Sequence, residues 1–249
     1  MGGKRVVAGF HAVTARLRHA PESIEALYVD GARRDGRMQQ LLDRAQSAGV
    51  RVSVGDGERL QRLAAGSTHQ GVVALCREVE LARSLDEVLE RVDGQTLLLL
   101  LDGVTDPRNL GACMRTAEAA GAQALIVPRD RSASLTPVVA AAAAGAAETL
   151  PLIAVTNLAR AMDDIRRAGA WIVGAAGEAE RTVYEIDLAG PLAWVLGAEG
   201  QGMRRLTREK CDWLARIPLQ GRTESLNVSV ATGVCLFETL RQRQAKTAA

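Results

Sequence analysis

The run TLLLLLD at residues 96–102 restricts the fold of this 249-residue chain more than any other segment. A strand with one face in water alternates apolar and polar residues, whereas a strand covered on both faces of a parallel sheet is apolar throughout. The run is far too short to cross a membrane, which takes about 20 apolar residues in a helix. It therefore predicts a buried strand in an α/β fold with a parallel sheet.

The segments on either side of this run continue the α/β pattern. Residues 1–76 are predicted to form a small α/β domain, residues 77–95 a charged linker, and residues 96–249 a second domain. In the first domain we expect helices at GFHAVTARLRHA, RMQQLLDRAQSAG and GERLQRLAAG, and strands at IEALYVD, VRVSV and GVVALC. Further strands are expected at ALIV, LPLIAV, WIVGAAG, LAWVLG and ARIPL, and helices at LTPVVAAAAAGAAE, at NLARAMDDIRRAG, in a short charged segment after LAWVLG, and from about Asn227.

Composition excludes several classes of protein. Apolar residues make up 47% of the chain and charged residues 24%, which is typical of a globular protein with a well-formed core. The four cysteines and three histidines lack the spacing of a zinc site or of a disulfide-rich domain, so we expect no metal. Without a secretory signal or a membrane segment, the sequence favours a cytoplasmic protein. The net charge is only +2, although residues 1–80 hold 12 Lys/Arg against 9 Asp/Glu, which is compatible with RNA contact.

The last predicted helix, NVSVATGVCLFETLRQR, is apolar on nearly every side over its first three turns. A helix on the surface of one domain needs only one apolar face. Two explanations remain open: a second subunit covers the remaining flank, or the helix lies centrally within one chain.

Ligands of open parallel sheets bind where the strands end, at their carboxyl edge. The first segment with unusual residues at such a position is DPRNLGACMR, residues 106–115. Asn109 is a good N-cap for the helix that follows. Arg115 falls off the buried stripe of that helix, and a surface ion pair with Glu118 is its alternative role.

Two further segments follow predicted strands. VLGAEGQGMRRL, residues 195–206, holds three glycines that indicate close approach of the backbone to a ligand, or alternatively a turn that only bends the chain. Their order is not that of the dinucleotide-binding fingerprint. In RIPLQGRTESLNVSVATG, residues 216–233, Ser225 and Asn227 lead into the last helix and are alternatively just its caps.

Taken in this order and spacing, DPRNLGACMR, LGAEGQG and IPLQGRTESLNVSVA resemble the three signature motifs of the SpoU/TrmH ribose methyltransferases of the SPOUT superfamily. The resemblance covers roughly residues 96–243. GFHAV near the start and HQGVVA at residues 69–74 look like the RNA-binding amino-terminal domain of family members that methylate a guanosine of 23S rRNA at its ribose 2′-oxygen. That domain is similar to small ribosomal proteins that clasp bent RNA.

The resemblance implies a SPOUT methyltransferase domain with a trefoil knot and a homodimer. It implies transfer of a methyl group from S-adenosylmethionine to the ribose 2′-hydroxyl of a guanosine in the peptidyl-transferase region of 23S rRNA, as naked RNA or in a large-subunit assembly precursor. The cofactor-binding residues that it implies are Gly177, Gly197, Ile217 and Leu226, and the catalytic residues are Asn109, Arg115, Glu199, Ser225 and Asn227.

Arg115 has a physical difficulty as the proton acceptor that family proposals make it, because a guanidinium stays charged at ordinary pH. We therefore expect Arg115 to stabilise the developing alkoxide or to hold a neighbouring phosphate, with Glu199 orienting it through a charge-assisted hydrogen bond.

Three alternatives remain. The first is a tRNA or other-site rRNA 2′-O-ribose methyltransferase of the same family; the amino-terminal domain argues for rRNA, because many tRNA-modifying members lack it. The second is a non-catalytic RNA-binding ribosome-assembly factor, which the intact motifs disfavour and which binding of S-adenosylmethionine would discriminate. The third is a nicotinamide-dependent oxidoreductase, against which the missing dinucleotide fingerprint argues.

Overall fold

A computed structural model of the chain describes residues 4–64, 66, 68–77, 81–82 and 84–247. The chain divides into two compact units. The first comprises Met1–Leu81 together with the segment Ala144–Thr149, and the second comprises Ala82–Ala143 and Leu150–Ala249. Among the described residues, no helix is both long enough and apolar enough to cross a bilayer.

The described residues of the first unit form a four-stranded sheet with three α-helices. Its sheet order is β1-β4-β2-β3, with β4 antiparallel to β1 and β2, and β3 parallel to β2. The elements are β1 (Lys4–Ala8), α1 (Phe10–His19), β2 (Ile24–Asp30), α2 (Gly36–Ser47), β3 (Val52–Gly55), α3 (Gly57–Leu63) and β4 (Val72–Arg77). All the elements expected in this part of the sequence are present, but β1 was not predicted. It is an edge strand that starts with two charged residues and buries Val7 while leaving Val6 exposed, so its apolar signal is weak.

The second unit is built on a six-stranded sheet in the order β10-β8-β9-β5-β6-β7, in which every pairing is parallel. The predicted parallel sheet is therefore confirmed, and the five leucines of β5 are fully buried inside it. The elements are α4 (Leu85–Leu89), β5 (Leu97–Asp102), α5 (Pro107–Ala119), β6 (Ala124–Pro128), α6 (Pro137–Ala143), β7 (Leu152–Val155), α7 (Leu158–Arg167), β8 (Trp171–Ala175), β9 (Leu192–Gly197), α8 (Arg205–Glu209), β10 (Trp213–Ala215) and α9 (Val228–Thr247).

Two predicted elements differ from the structure. The alanine-rich helix stops at Ala143, because Ala144 (φ 49°) and Gly145 (φ 101°) adopt left-handed backbone conformations and only a 3₁₀ turn, Ala146–Glu148, follows. Helix propensity favours one long helix here, but Gly145 packs so closely on the first helix of the chain that a Cβ would lie 2.8 Å from the His11 carbonyl oxygen. The strand expected at ARIPL lies earlier, at β10, so Ile217 and Pro218 fall outside the strand and belong to the segment that leaves the sheet. Proline has no N–H to donate to a sheet ladder.

Candidate active site

The start of α5 decides where the Asn109 side chain is directed. Asp106 caps this helix: its Oδ1 accepts the Arg108 N–H at 2.7 Å, and Pro107 occupies the first turn. The predicted cap at Asn109 is wrong, because the helix begins before it. Asn109 lies instead within the first turn, where its side-chain amide is not needed for capping.

Asn109, Glu199 and Asn227 form one hydrogen-bonded cluster. Asn109 Nδ2 donates to Glu199 Oε1 at 3.0 Å, and Asn227 Nδ2 donates to Asn109 Oδ1 at 3.0 Å. Asn227 Nδ2 also donates to Glu199 Oε1, and the Val228 N–H reaches the same oxygen at 3.3 Å. The first turn of α5, the turn after β9 and the residue before α9 thus bring one polar residue each to the carboxyl edge of the sheet.

Asn227 serves α9 as well as the cluster. Its Oδ1 accepts the Ser229 N–H at 2.9 Å and the Ser229 hydroxyl at 2.6 Å, as an N-cap residue does. The capping role considered for Asn227 is therefore confirmed, and its amide nitrogen is still available to bind Asn109 and Glu199. The two roles use different atoms of one side chain.

Arg115 lies farther along α5, where it is exposed and takes no part in this cluster. The hydrogen bond by which Glu199 was expected to orient Arg115 is not found among the described residues. Glu199 Oε1 receives its hydrogen bonds from Asn109, Asn227 and Val228 instead.

A cavity of about 450 Å³ lies beside the cluster, between the ends of β8 and β9 and the segment that leads from β10 to α9. Its volume is within the range of ordinary small-molecule sites. Met203 adds an apolar side chain to the wall. The lining includes all four residues expected to bind the cofactor and two of those expected to be catalytic: Gly177, Gly197, Ile217, Leu226, Glu199 and Ser225.

Glycine occupies the positions around this cavity for different physical reasons. A Cβ on Gly197 would lie 2.0 Å from the Gly202 carbonyl carbon, so Gly197 is required by the close approach of the chain to itself. Gly200 (φ 75°) and Gly202 (φ 65°) have left-handed backbones that close the turn. A Cβ on Gly177, in contrast, would meet nothing within 4 Å and would project into open space. Gly200 and Gly202 thus bend the chain and also line the cavity, so the turn and the expected approach of the backbone to a ligand are compatible there.

Asp102 and Arg204 support the site, although the sequence analysis predicts no role for either residue. Asp102 ends β5 with a fully buried side chain, and its carboxylate accepts the Arg204 N–H at 2.9 Å and Arg204 Nε at 2.6 Å. The Asp102 carbonyl accepts the Ala198 N–H at 3.1 Å. Asp102 therefore holds both ends of the turn that carries Glu199. The available signal was a carboxylate directly after a buried apolar strand, since such a group must find partners.

Cys113 and Cys211 of the second unit are a buried and a partly buried free thiol. Burial raises the pKa of Cys113 to about 11 and that of Cys211 to about 12, so both thiols stay protonated at neutral pH. Within the part of the chain that the structure describes, no group of three or more His, Cys, Asp or Glu side chains is arranged to hold a metal ion.

Comparison with known families accounts for this arrangement. A model of the SpoU rRNA Methylase family matches residues 96–237, and a model described as RNA 2′-O ribose methyltransferase substrate binding matches residues 6–82. The chain belongs to the SpoU rRNA methylase family. The resemblance to SpoU/TrmH methyltransferases and the expected α/β SPOUT fold are thereby confirmed.

Individual SpoU proteins match along nearly the whole chain. The 23S rRNA (guanosine-2′-O-)-methyltransferase RlmB of Bordetella pertussis is 56% identical over 244 residues, covering 98% of this chain and 100% of its own length. RlmB of Pseudomonas aeruginosa is 56% identical over 241 residues, covering 95% of this chain and 96% of its own. Among solved structures, the SpoU methyltransferase AviRb from Streptomyces viridochromogenes in complex with AdoMet matches with a TM-score of 0.72 and 26% identity, over 98% of this chain and 92% of its own.

Proposed function

We infer that this SpoU-family chain transfers a methyl group from S-adenosylmethionine to the ribose 2′-oxygen of a guanosine in 23S rRNA. The observation that carries the inference is its 56% identity, over nearly the full length, to 23S rRNA (guanosine-2′-O-)-methyltransferases. The cluster of Asn109, Glu199 and Asn227 beside a ligand-sized cavity supports it independently.

The cofactor fits the cavity chemically. Ile217 and Leu226 are apolar walls for a flat adenine ring, and the backbone at Gly177 carries no side chain that would keep a ligand at a distance. Gly197 lines the same cavity at the point where the chain packs closely against Gly202. Bound there, S-adenosylmethionine supplies an electrophilic methyl group on its sulfonium. These four residues are the proposed cofactor contacts.

The protein's own part in the reaction is to position the 2′-oxygen and to stabilise the charge that develops on it. Asn109, Glu199 and Asn227 hold one another in a single orientation, and Ser225 lies at the cavity beside them. Arg115 is the proposed cation for the developing alkoxide or for the adjacent phosphate. The proton of the 2′-hydroxyl leaves through that phosphate or a water, because a guanidinium has donors but no acceptor atom to receive it.

A second copy of the chain is the proposed partner of α9. Val230 and Phe237 on this helix are 52% and 50% exposed, and Val234 between them is only partly buried. Residues seven positions apart lie on one face of a helix, so these side chains form an apolar stripe that a homodimer would cover. The 23S rRNA substrate, as naked RNA or in a large-subunit assembly precursor, is the reason for proposing a cytoplasmic location.

The test is methyl transfer from labelled S-adenosylmethionine to three substrates in parallel: unmodified 23S rRNA, unmodified bulk tRNA and large-subunit precursor particles. Mapping of 2′-O-methyl groups then locates the label. One labelled guanosine in 23S rRNA or in the precursor is the expected result, and the comparison of these two identifies the form of the substrate. Label in tRNA would support the proposed reaction but refute 23S rRNA as the substrate. Cofactor binding without transfer to any of the three would favour the non-catalytic assembly factor.

A further inference from the structure

Three connections of the first unit lie together at one edge of its sheet, meaning the edge where β1 and β2 end and β4 begins. The register pairs Ala8 with Val73 and Val29 with Val72, so the carboxyl ends of β1 and β2 lie beside the amino end of β4. Two backbone hydrogen bonds join the connections: Gly9 N–H donates to the Val72 carbonyl at 3.0 Å, and Asp30 N–H to the Gly71 carbonyl at 2.9 Å. Residues 9–11, 31–37 and 68–71 therefore meet at this edge.

Arg33 is held at this edge by all three connections. Its guanidinium carbon lies 4.5 Å from the centre of the Phe10 ring, and its Nη1 donates to the Gln70 carbonyl at 2.6 Å. Its Nε forms an ion pair with Asp35. The Arg33 side chain nevertheless remains 34% exposed. Its cation is thus fixed in direction while part of it faces solvent.

Arg34 and Arg37 supply charge that is not neutralised locally. The Arg37 guanidinium lies 5.8 Å from the Phe10 ring, and its Nη2 is 3.2 Å from His11 Nε2. Because the guanidinium only donates, that imidazole nitrogen is the acceptor. Arg34 is exposed. No ion pair of Arg34 or Arg37 is found among the described residues.

Two carboxylates at the same edge are engaged with the backbone. Asp30 Oδ1 accepts the Ala32 N–H at 2.9 Å. Asp35 Oδ1 accepts the N–H groups of Arg37 and Met38 at 3.0 and 3.1 Å, which caps α2. Within the described part of the chain, neither Asp30 nor Asp35 forms an ion pair with Arg34 or Arg37.

We propose that Arg33, Arg34 and Arg37, here called the arginine edge, bind phosphates of the RNA substrate. A guanidinium matches a phosphate with two parallel hydrogen bonds, and one already held in place loses little conformational entropy on binding. Phosphate contacts fix the register of a protein on RNA without reading its sequence. The arginine edge would thus position the RNA, while selection of the guanosine falls to other contacts. The proposal rests on the proposed function in taking RNA as the substrate.

The test compares two double variants that remove equal charge from the first unit. Arg34→Ala with Arg37→Ala removes the unpaired cations of the arginine edge. Arg18→Ala with Arg51→Ala is the matched control, since both residues are exposed but lie near the opposite edge of the sheet, at the end of α1 and before β3. Arg33 is left intact because it ties the connections together. Circular dichroism and thermal unfolding check that both variants stay folded.

Binding of unmodified 23S rRNA transcript is measured by filter retention over a series of salt concentrations. Removing one arginine that binds a phosphate lowers the slope of log K against log salt by about 0.7 to 0.9, so the slope of the arginine-edge variant should fall by about 1.4 to 1.8 and that of the control should match wild type. In methyl transfer, KM for RNA should rise and kcat at saturating RNA should stay the same. Replacing both residues with lysine should restore the slope.

Equal slopes for the two alanine variants and wild type would overturn the arginine edge, even if the wild type methylates 23S rRNA normally. Failure of the proposed function would give a different result, because the wild type would then not methylate 23S rRNA, while the binding of 23S rRNA by the variants could still be compared. An equal decrease of slope in both variants would also overturn the proposal, because it would show that RNA binding depends on the total positive charge and not on these arginines.

Discussion

Asn227 combines a structural and a chemical role at the scale of one residue. Its side-chain oxygen Oδ1 caps α9, while its side-chain nitrogen Nδ2 donates to Asn109 and Glu199. The direction of the helix and the geometry of the cluster therefore depend on each other. Helix capping and site chemistry are usually weighed as competing explanations of such a residue. Here the side chain has enough donors and acceptors for both.

Arg115→Ala should lower methyl transfer by about 100- to 1000-fold, the usual cost of removing one group that stabilises transition-state charge. Affinity for S-adenosylmethionine should stay within a few-fold of wild type, because Arg115 does not line the cavity. Single-turnover transfer and calorimetric titration measure the two quantities. Arg160→Ala is the control, an exposed arginine on α7. Equal loss of transfer and cofactor affinity in Arg115→Ala would contradict the role assigned to it.

Two glycines of the cavity should respond differently to alanine. Gly177→Ala should fold normally, since its Cβ meets nothing within 4 Å, but should weaken cofactor binding by projecting into the cavity. Gly197→Ala should lower the melting temperature, because its Cβ would lie 2.0 Å from the Gly202 backbone. Thermal unfolding with and without S-adenosylmethionine separates the effects. Unchanged affinity in Gly177→Ala would remove Gly177 from the cofactor site.

At the scale of elements, the turn from Ala198 to Arg204 is the part of the site that most depends on a distant strand. The carboxylate and carbonyl of Asp102 bind Arg204 and Ala198, so the end of β5 sets the position of Glu199 although the two are far apart in sequence. β5 itself lies inside the sheet with its five leucines buried. The turn is therefore anchored to a strand that is itself fixed on both faces.

Asp102→Asn tests this connection. The amide keeps the shape of the side chain but loses the charge-assisted hydrogen bonds to Arg204, each worth about 1.5–3 kcal/mol before the partial exposure of Arg204 is discounted. We expect cofactor affinity to fall by about 10-fold and transfer to fall as well, because the turn that carries Glu199 loses the ion pair that fixes its Arg204 end. Asp130→Asn, an exposed residue after β6, is the isosteric control. If Asp102→Asn bound the cofactor as wild type does, the turn would not depend on this pair.

At the scale of the whole molecule, one face of α9 is buried in the second unit and another apolar face is exposed. Cys235, Leu236 and Thr239 are buried against the second unit, whereas Val230 and Phe237 are half exposed. The sequence left open whether a second subunit or the same chain covers the apolar flank. The structure shows that the rest of the described chain does not cover it completely.

Phe237→Asp should therefore convert a dimer into monomers, because a charge in the middle of an apolar interface costs far more than one in water. Sedimentation velocity at several concentrations measures the change in mass. The control is Val54→Asp, which places the same charge at an exposed apolar residue of the first unit, 68% accessible, and should leave the mass unchanged. A wild-type chain that sediments as a monomer would refute the homodimer outright.

The sequence by itself determined the features that are encoded locally. An unbroken apolar run predicts a strand covered on both faces, a 3.6-residue period predicts a helix, and the three motifs carry the resemblance to a family. These patterns were sufficient for the parallel sheet, for most of the elements and for naming the cavity residues. They failed where local preference is overruled, as at Ala144 and Gly145, where an alanine-rich helix ends early.

Only the tertiary structure decided which of these residues meet. The hydrogen bonds between Asn109, Glu199 and Asn227, and the pair of Asp102 with Arg204, join residues that are distant in the chain and have no common period. It also decided that α5 starts at Pro107, which turned Asn109 from an expected cap into part of the cluster. The physical reason is that the buried carboxylate of Asp102 must find a partner, and that the more exposed cluster forms only where the fold brings three separate turns within hydrogen-bonding distance; in neither case do the neighbours in sequence specify the partner.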